Sequence, residues 1–326
     1  KMRKIAKLIF RQEDLAIVPA QQEEGIDIEP VYLAPVICML LVNGTTGIAC
    51  GWSTNIPAHN ALDQIESIRT FLTTGELKPC KVHYNGFNGT YSETNANGKV
   101  RQFTHGIVNK TKPCQFKVTE LPIGSWTETF KELLIKHDAK VVDRGTETSV
   151  EIDVKTKVDM TVQEFEKKFK MKSAIGNIFV AFNSENTIVD FGNSHAILQE
   201  FVTRRLELYE KRKAHQLKEF DDQLKKFKRR HAFVSLIVVD KVDLIDHDQL
   251  KTACLNKGLE LKDDDELLQM TAKSIIGGHK KIESKIDDLE EQQMLLSQLS
   301  AGDLWMNDLN ELKAELLKGT EPKRKR

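Results

Sequence analysis

Nothing in this 326-residue sequence supports a disulfide or zinc framework: its five cysteines (38, 50, 80, 114 and 254) are scattered, and no two form a Cys-x-x-Cys pair. Reduced thiols in an intracellular setting fit that pattern best. Asn-x-Thr triplets such as Asn43-Gly44-Thr45 are then not expected to carry glycans. Net charge is missing too, with 48 Lys and Arg against 48 Asp and Glu. Any electrostatic case for a nucleic-acid partner must therefore come from local patches. No apolar run approaches bilayer-spanning length and no signal-peptide pattern opens the chain, so no membrane partner is expected. There is no Gly-Lys-Ser/Thr phosphate loop, and no Ser-His-Asp or Cys-His arrangement can be argued from nine dispersed histidines. His195, His215 and His231 fall on or beside a charged helix and read as solvated. Asp263-Asp264-Asp265 and Asp246-His247-Asp248 read as helix-start or loop carboxylates, the usual fate of charge runs, rather than metal ligands.

What is present is enough apolar sequence, at 40%, to bury a sizeable core, and a length of about two domains. Lys1–Phe10 is a basic amphipathic piece that reads as the end of a helix, and the acidic stretch Gln21–Glu29 reads as a loop. Asn60–Leu72 carries Leu62, Ile65, Ile68 and Leu72 at helical spacing and stops near Gly75. From Lys81 to Phe191 come short β-prone pieces (Val82–Tyr91, Gln102–Asn109, Gln115–Glu120, Thr148–Val154, Ile178–Phe182) separated by Asn-Gly turns at 85–86, 88–89 and 97–98. Thr127–His137 and Val162–Lys170 read as helices packed on that sheet. From Ala196 to about Arg230 the chain is charged and helical. There Leu217, Phe220, Leu224 and Phe227 step by three, four and three, the seam of a coiled coil. A second helix, His279 to Leu299, repeats the rhythm with Ile282, Ile286, Leu289, Gln293 and Leu296. The two can pair as an antiparallel arm, with Ala232–Asp246 and Glu266–Ile276 as a helical knob at its tip. The expected fold is α+β: a small mixed-sheet tower domain, then a long antiparallel coiled-coil arm with a helical tip.

The most informative run is Pro35–Pro57, PVICMLLVNGTTGIACGWSTNIP. An apolar, strand-like Val36–Val42 breaks into a turn with glycines at 44, 47 and 51, spacing that admits positive φ and close approach of another chain or a sugar-phosphate backbone. Ile48 is the one bulky residue among small ones. It is either a plug into the protein's own core or a wedge presented outward, and burial statistics for isoleucine favour the plug.

The same run resembles the type II DNA topoisomerases of eukaryotes and their viruses, which carry an Asn-Gly-x-x-Gly-Ile-x-x-Gly-Trp-Ser segment. The resemblance extends along the chain through Lys7-Leu8-Ile9-Phe10, Glu29-Pro30, Tyr32-Leu33-Ala34-Pro35, Glu120-Leu121-Pro122-Ile123 with Trp126-Thr127, and Phe169–Asn177. It continues through Phe201, Arg205-Leu206, Tyr209 and Arg212-Lys213 to Asp303-Leu304-Trp305 and Asp308-Leu309. It implies that Ile48 wedges between base pairs and bends the duplex, an unstacking that costs a few kcal/mol per step and is offset by the contacts of a bent duplex. It also implies DNA contacts from Trp126 and from Lys170, Lys172, Ser173 and Asn177. There are departures: Cys38 stands for a usual proline, Thr45-Thr46 for Ala-Glu, Ala49-Cys50 for Gly-Thr, and Gly124 for a frequent arginine.

In domain terms the resemblance implies the end of a winged-helix region with the Gly-rich turn (1–58), a tower (59–194), an arm with a dimerising exit-gate tip (195–318) and a basic tail (319–326). Cleavage in such enzymes needs a tyrosine beside an arginine, with carboxylates holding Mg²⁺. Here Tyr32, Tyr84, Tyr91 and Tyr209 all lack a preceding arginine, so no catalytic residue is assigned. The nucleophile is expected a few residues before Lys1, in a longer reading frame, along with the regions that use Mg²⁺ and ATP. The implied partners are double-stranded DNA and a second copy or relative of the chain, as homodimer or heterodimer. The implied location is the nucleus, for which Lys323–Arg326 could be a signal. Arg204-Arg205, Lys211-Arg212-Lys213 and Lys225–Arg230 are either a solvated coiled-coil face or a basic wall past which a transported duplex moves. An alternative from another class stays open: a non-catalytic relative acting as a DNA-binding or dimerising partner.

Overall fold

The structure is a computed structural model that describes residues 3–96, 99–238, 247–259, 267 and 278–320. In chain order its elements are α1 (Lys4–Ile9), a 3-10 turn (Gln12–Asp14), β1 (Ala20–Glu23), β2 (Ile26–Pro30), α2 (Met39–Asn43), β3 (Thr45–Ala49), β4 (Trp52–Ile56), α3 (Ala61–Thr74), β5 (Thr90–Ala96), β6 (Lys99–His105), β7 (Ile107–Lys112) and β8 (Gln115–Glu120). They continue with α4 (Thr127–Lys136), β9 (Lys140–Asp143), β10 (Ile152–Lys155), α5 (Val162–Lys168), β11 (Lys172–Ala174), β12 (Val180–Phe182), β13 (Ile188–Asp190), α6 (Ser194–Val238), α7 (His247–Asn256), α8 (His279–Gln298) and α9 (Ala301–Thr320). This is the α+β class. The chain divides into two compact units, Ile37–Val202 and the pair of segments Lys1–Val36 with Thr203–Arg326.

In the Ile37–Val202 unit, period-two alternation on β8 sends Phe116 and Val118 inward, opposite Val154 and Ile152 of β10. The antiparallel sheet runs β7-β8-β10-β9. Phe130 and Leu134 of α4 and Phe165 of α5 bury in the same core, where the Phe116 and Phe165 rings stack at 4.5 Å. Thr161 starts α5 with a capping box: its hydroxyl accepts from the Glu164 N–H while the Glu164 carboxylate accepts from the Thr161 N–H. Asn60 caps α3, which ends at Gly75 in the left-handed conformation, φ 78°. A second sheet is ordered β11-β6-β5.

The expected strand Gln102–Asn109 is two strands, β6 and β7, parted at Gly106. A Cβ there would strike the Glu120 carbonyl and the Met171 side chain, so only glycine permits the crossing between sheets. Of the expected strand Val82–Tyr91, only Thr90 and Tyr91 lie in β5, while Val82 makes an isolated bridge to His59. The reason is Gly86, at φ 81°, which turns the backbone away. The Asn97-Gly98 turn lies outside the described residues. Val36–Val42, read as a strand, instead enters the helix α2 with Leu41 buried. Cys38, where a proline is usual in the resembling family, keeps the φ of −70° that proline would impose.

In the other unit, the stretch read as a loop at Gln21–Glu29 is a hairpin, β1 with β2, although Ile26 and Ile28 stay exposed. Its turn explains it: Glu24 and Gly25 take φ of 52° and 80°, the left-handed pair that matches strand twist. Helices α6 and α8 run antiparallel. Lys213 Nζ donates to the Ser297 carbonyl at 3.0 Å, Gln293 Nε2 to Asp221 at 2.5 Å, and Lys228 pairs with Glu290 at 2.6 Å. Between them Leu224, Val234, Ile282 and Leu289 are buried. Helix α6 runs on to Val238 and packs Phe233 and Leu236 against Leu250 and Cys254 of α7. The rest of the expected knob (239–246, 266 and 268–276), the acidic runs at 246–248 and 263–265, and the tail 321–326 lie wholly or partly outside the described residues.

Where α6 and α9 meet the N-terminal segment, the interior is ionic. Arg205 Nη2 donates to Asp14 at 2.6 Å and Arg212 Nη1 to Asp308 at 2.8 Å, all four side chains at 8% exposure or less. The Tyr209 hydroxyl donates to the same Asp308 carboxylate at 2.7 Å, and burial pushes that phenol far above its ordinary range. Trp305 stacks on Tyr209 at 5.5 Å and its indole N–H donates to the Val36 carbonyl.

Candidate nucleic-acid interface

The glycines of the Pro35–Pro57 run build a hairpin rather than a loose turn. Strands β3 and β4 pair from Thr45↔Ile56 to Ala49↔Trp52, and Gly51, at φ 78°, closes the two-residue turn. At the foot, Gly44 takes φ 66°, and a Cβ there would come within 2.8 Å of both the Ala58 nitrogen and the Ile56 carbonyl. Ile48 sits near the tip, 91% exposed. The plug reading is thereby excluded: this side chain touches almost none of its own protein. Trp52, 49% exposed, follows it on the opposite strand.

The hairpin is tied down sideways. Asn55 exchanges both backbone hydrogen bonds with Ile178, at 2.9 and 3.1 Å, which docks β4 against the neighbouring hairpin β12–β13. Gly176 lies so close to the Asn55 side chain that a Cβ would overlap its amide. Between the two hairpins Ile48, Trp52, Phe182 and Ile188 line an open apolar cavity of about 570 Å³.

The sequence-selected residues Lys170, Lys172, Ser173 and Asn177 lie on the segment that leads into that joint. Its other end is β11, paired with β6 as Lys172↔His105, Ser173↔Thr104 and Ala174↔Phe103, and the Ile175 N–H donates to the Gln102 carbonyl. Residues 172–178 thus form a strap from the β6 platform to the hairpin carrying Ile48. Trp126 joins the platform from a third direction. Thr104, fully buried, accepts through its hydroxyl from the Ile123 N–H at 3.1 Å, which fixes the Glu120–Trp126 turn. Trp126 itself is 78% exposed at the head of α4. Within that turn Gly124 takes φ 82°, a conformation that a side chain such as arginine adopts only with strain.

Lys170 and Lys172 are exposed, Ser173 is half-buried, and Asn177 is exposed. Both lysines line one concavity of about 490 Å³ with Lys167, Phe103 and His105. Lys172 Nζ lies 4.0 Å above the Phe103 ring, a cation–π contact that holds the ammonium at the rim. Glu166 is the single carboxylate in the lining, so three ammonium groups leave the concavity cationic. Lys170 has φ 53°, the left-handed region, which turns the chain sharply from α5 into β11. An exposed aliphatic on a stiff hairpin, an exposed indole and a lysine-lined concavity, mechanically joined, suit a polyanion with stackable bases. Lys167 was not singled out from the sequence; its spacing from Lys170, one turn back along α5, was the available signal.

The basic stretches of α6 prove largely occupied. Arg205 and Arg212 are buried in ion pairs, Arg204 pairs with Glu207 at 2.9 Å, and Lys225 and Lys228 pair with Asp222 and Glu290. A continuous basic wall is therefore not formed, because the charges that the sequence lines up point to different sides of the helix. Nor is His231 solvated as read: it is half-buried against His279.

A family model for DNA gyrase/topoisomerase IV matches residues 1–310. Among curated relatives, a DNA topoisomerase 2 of Penicillium chrysogenum is 32% identical over 272 residues, covering 79% of this chain and 17% of that protein. One of Invertebrate iridescent virus 6 is 28% identical over 329 residues, covering 94% of this chain and 28% of that protein. A mitochondrial DNA topoisomerase 2 of Dictyostelium discoideum is 31% identical over 257 residues, covering 75% and 20% respectively. The chain thus spans well under a third of the length of these relatives. Among solved structures, the Plasmodium falciparum topoisomerase II DNA-binding, cleavage and re-ligation domain matches 98% of this chain and 50% of that one, with a TM-score of 0.83 at 25% identity.

Proposed function

Because the chain belongs to the DNA gyrase/topoisomerase IV family, we propose that it is the duplex-holding and arm portion of a type II DNA topoisomerase, with double-stranded DNA laid across the Ile37–Val202 unit. In this reading Ile48 enters between base pairs and bends the duplex. Trp126 contacts it beyond the bend, and Lys170 and Lys172, with Ser173 and Asn177, follow its backbone. The observation that carries the reading is the strap 172–178, which joins an isoleucine 91% exposed to a lysine-lined concavity. A wedge alone would need only the hairpin. A wedge braced against phosphate contacts can load the bend it creates.

The whole enzyme would cut one duplex, pass another through it and reseal the first, as a dimer closed through the tip of the arm. ATP and Mg²⁺ belong to that larger cycle. Among the described residues no three His, Cys, Asp or Glu side chains converge, so no step is assigned to a metal on them. Tyr209, the tyrosine nearest the buried carboxylates, is fully enclosed and holds its proton against Asp308, so it is no nucleophile. The chain by itself is expected neither to relax supercoiled DNA nor to form a covalent DNA adduct. Nuclear residence belongs to the same reading, with Lys323–Arg326 as the import signal. Removing those four residues from a fluorescent fusion would disperse it.

The test is duplex binding by fluorescence anisotropy across a salt series. Each phosphate contact contributes about 0.9 to the slope of log affinity against log salt. Lys170→Ala with Lys172→Ala should lower that slope by about 2 while leaving sequence preference alone. An unchanged slope would remove the lysines from the interface.

A further inference from the structure

The apolar seam of the arm is interrupted by two histidines that meet. On α6 the inward positions Leu224, Phe227, His231 and Val234 step by three, four and three. On α8 His279, Ile282 and Ile286 step by three and four. Val234, Ile282, Phe227 and Ile286 pack together as one cluster, so both histidines occupy positions where a coiled coil holds aliphatic side chains. Their rings lie 4.7 Å apart between centroids, with planes at 40°. The Nε2 atoms of both rings are buried and neither has a hydrogen-bond partner. Buried polar atoms are ordinarily satisfied, and two orphaned imidazole nitrogens in one layer of a helix pair leave a defect that leucine would not.

We propose that His231 and His279 form a two-imidazole site for a divalent d-block cation of the Zn²⁺ class, clamping α6 to α8 beside the tip of the arm. The chemistry matches: neutral imidazole nitrogen is a preferred donor for such ions, at about 2.0–2.1 Å, whereas hard ions such as Mg²⁺ take oxygen. Two imidazoles on one tetrahedral ion place their ring centroids about 5 Å apart for that bond length, close to the 4.7 Å observed. Among the described residues no third His, Cys, Asp or Glu converges with them, so water completes the coordination and the ion exchanges. Arg230, whose Nε is also buried without a partner, adds a neighbouring positive charge that holds the affinity to the micromolar range. The ion would join two helices through donors 48 residues apart in the chain (279 against 231), making arm stiffness responsive to metal supply.

The experiment uses the full chain with two probes. Zn²⁺ alone is titrated calorimetrically into the wild type, into His231→Ala and His279→Ala, and into a double variant with leucine at both positions, which restores the apolar seam and keeps the arm folded. Cu²⁺ is then added as a spectroscopic reporter. The expected result is one Zn²⁺ per chain bound by the wild type and weakened about tenfold or more by either single substitution. A rise in melting temperature with Zn²⁺ should be absent in the double-leucine variant. The Cu²⁺ paramagnetic resonance spectrum should show two imidazole nitrogens in the wild type and lose them in that variant. Equal Zn²⁺ affinity in the wild type and the double-leucine protein would overturn the proposal, as would a Cu²⁺ spectrum with a single nitrogen or one indifferent to both substitutions.

Discussion

At the tip of the β3–β4 hairpin an isoleucine stands 91% exposed, whereas at the root of the arm the side chains of Arg205 and Asp14 keep 1% and 3% of their surface. Each region reverses the usual placement of its residue type. The energetic consequences are unlike. An exposed aliphatic forgoes its own burial and leaves the fold otherwise untouched, so its apolar surface remains available to a partner. A buried ion pair commits two desolvated charges to each other, and removing either one strands the other. The hairpin is thus a reserve for binding, and the root is a structural lock.

The contrast breaks most visibly at the root. Arg205→Ala should destabilise the protein by about 3–5 kcal/mol, because Asp14 is left charged and enclosed; urea unfolding measures it, and a loss below about 1 kcal/mol would mean that water relieves Asp14. Gly176→Ala should come next, at about 1–3 kcal/mol, because its new methyl must displace the Asn55 amide and loosen the joint between strap and hairpin. A crystal structure of that variant with the Asn55–Ile178 hydrogen bonds intact would contradict the proposed bracing.

At the foot of the same hairpin, burial holds the His59 imidazole below its ordinary value of 6.5. The unfolded chain therefore takes up that proton more readily than the folded one. Stability should fall as pH drops from neutrality through that value, and His59→Gln should flatten the slope. A pH profile unchanged by the substitution would place the proton elsewhere. The smallest effect on folding belongs to Ile48→Ala, within about 0.5 kcal/mol of the parent, as for other surface substitutions. A larger loss would show that the side chain supports its own fold after all.

Helices were the most legible part of the sequence. Asn60 and Gly75 delimit α3 by local cap chemistry, and the three–four rhythm of Leu224, Phe227, Ile282, Ile286 and Leu289 encodes the arm without reference to anything distant. Strands that change sheets were less so. The break at Gly106 depends on the approach of Glu120 and Met171, which no window around residue 106 contains. The β1–β2 hairpin was hidden for the opposite reason: it buries no apolar face, and only Glu24-Gly25 announces it. Of the candidate interface, the residues themselves could be selected along the chain, but the plug-or-wedge choice at Ile48 could not be made from composition. Nor could the strap be seen, because Ser173↔Thr104 and Asn55↔Ile178 are pairings across 69 and 123 residues (173 against 104, 178 against 55). The basic blocks of α6 misled for a related reason: their carboxylate partners Asp14 and Asp308 lie near the two ends of the chain.

Energy transfer across a duplex labelled at both ends tests the central claim most directly, with the wild-type chain and Ile48→Ala compared at saturating protein. If Ile48 pries stacked bases apart, the wild type brings the duplex ends closer and the alanine variant returns them toward the free-DNA separation while still binding. Identical transfer efficiencies for the two proteins would show that the bend, if there is one, comes from elsewhere, and the wedge would have to be abandoned.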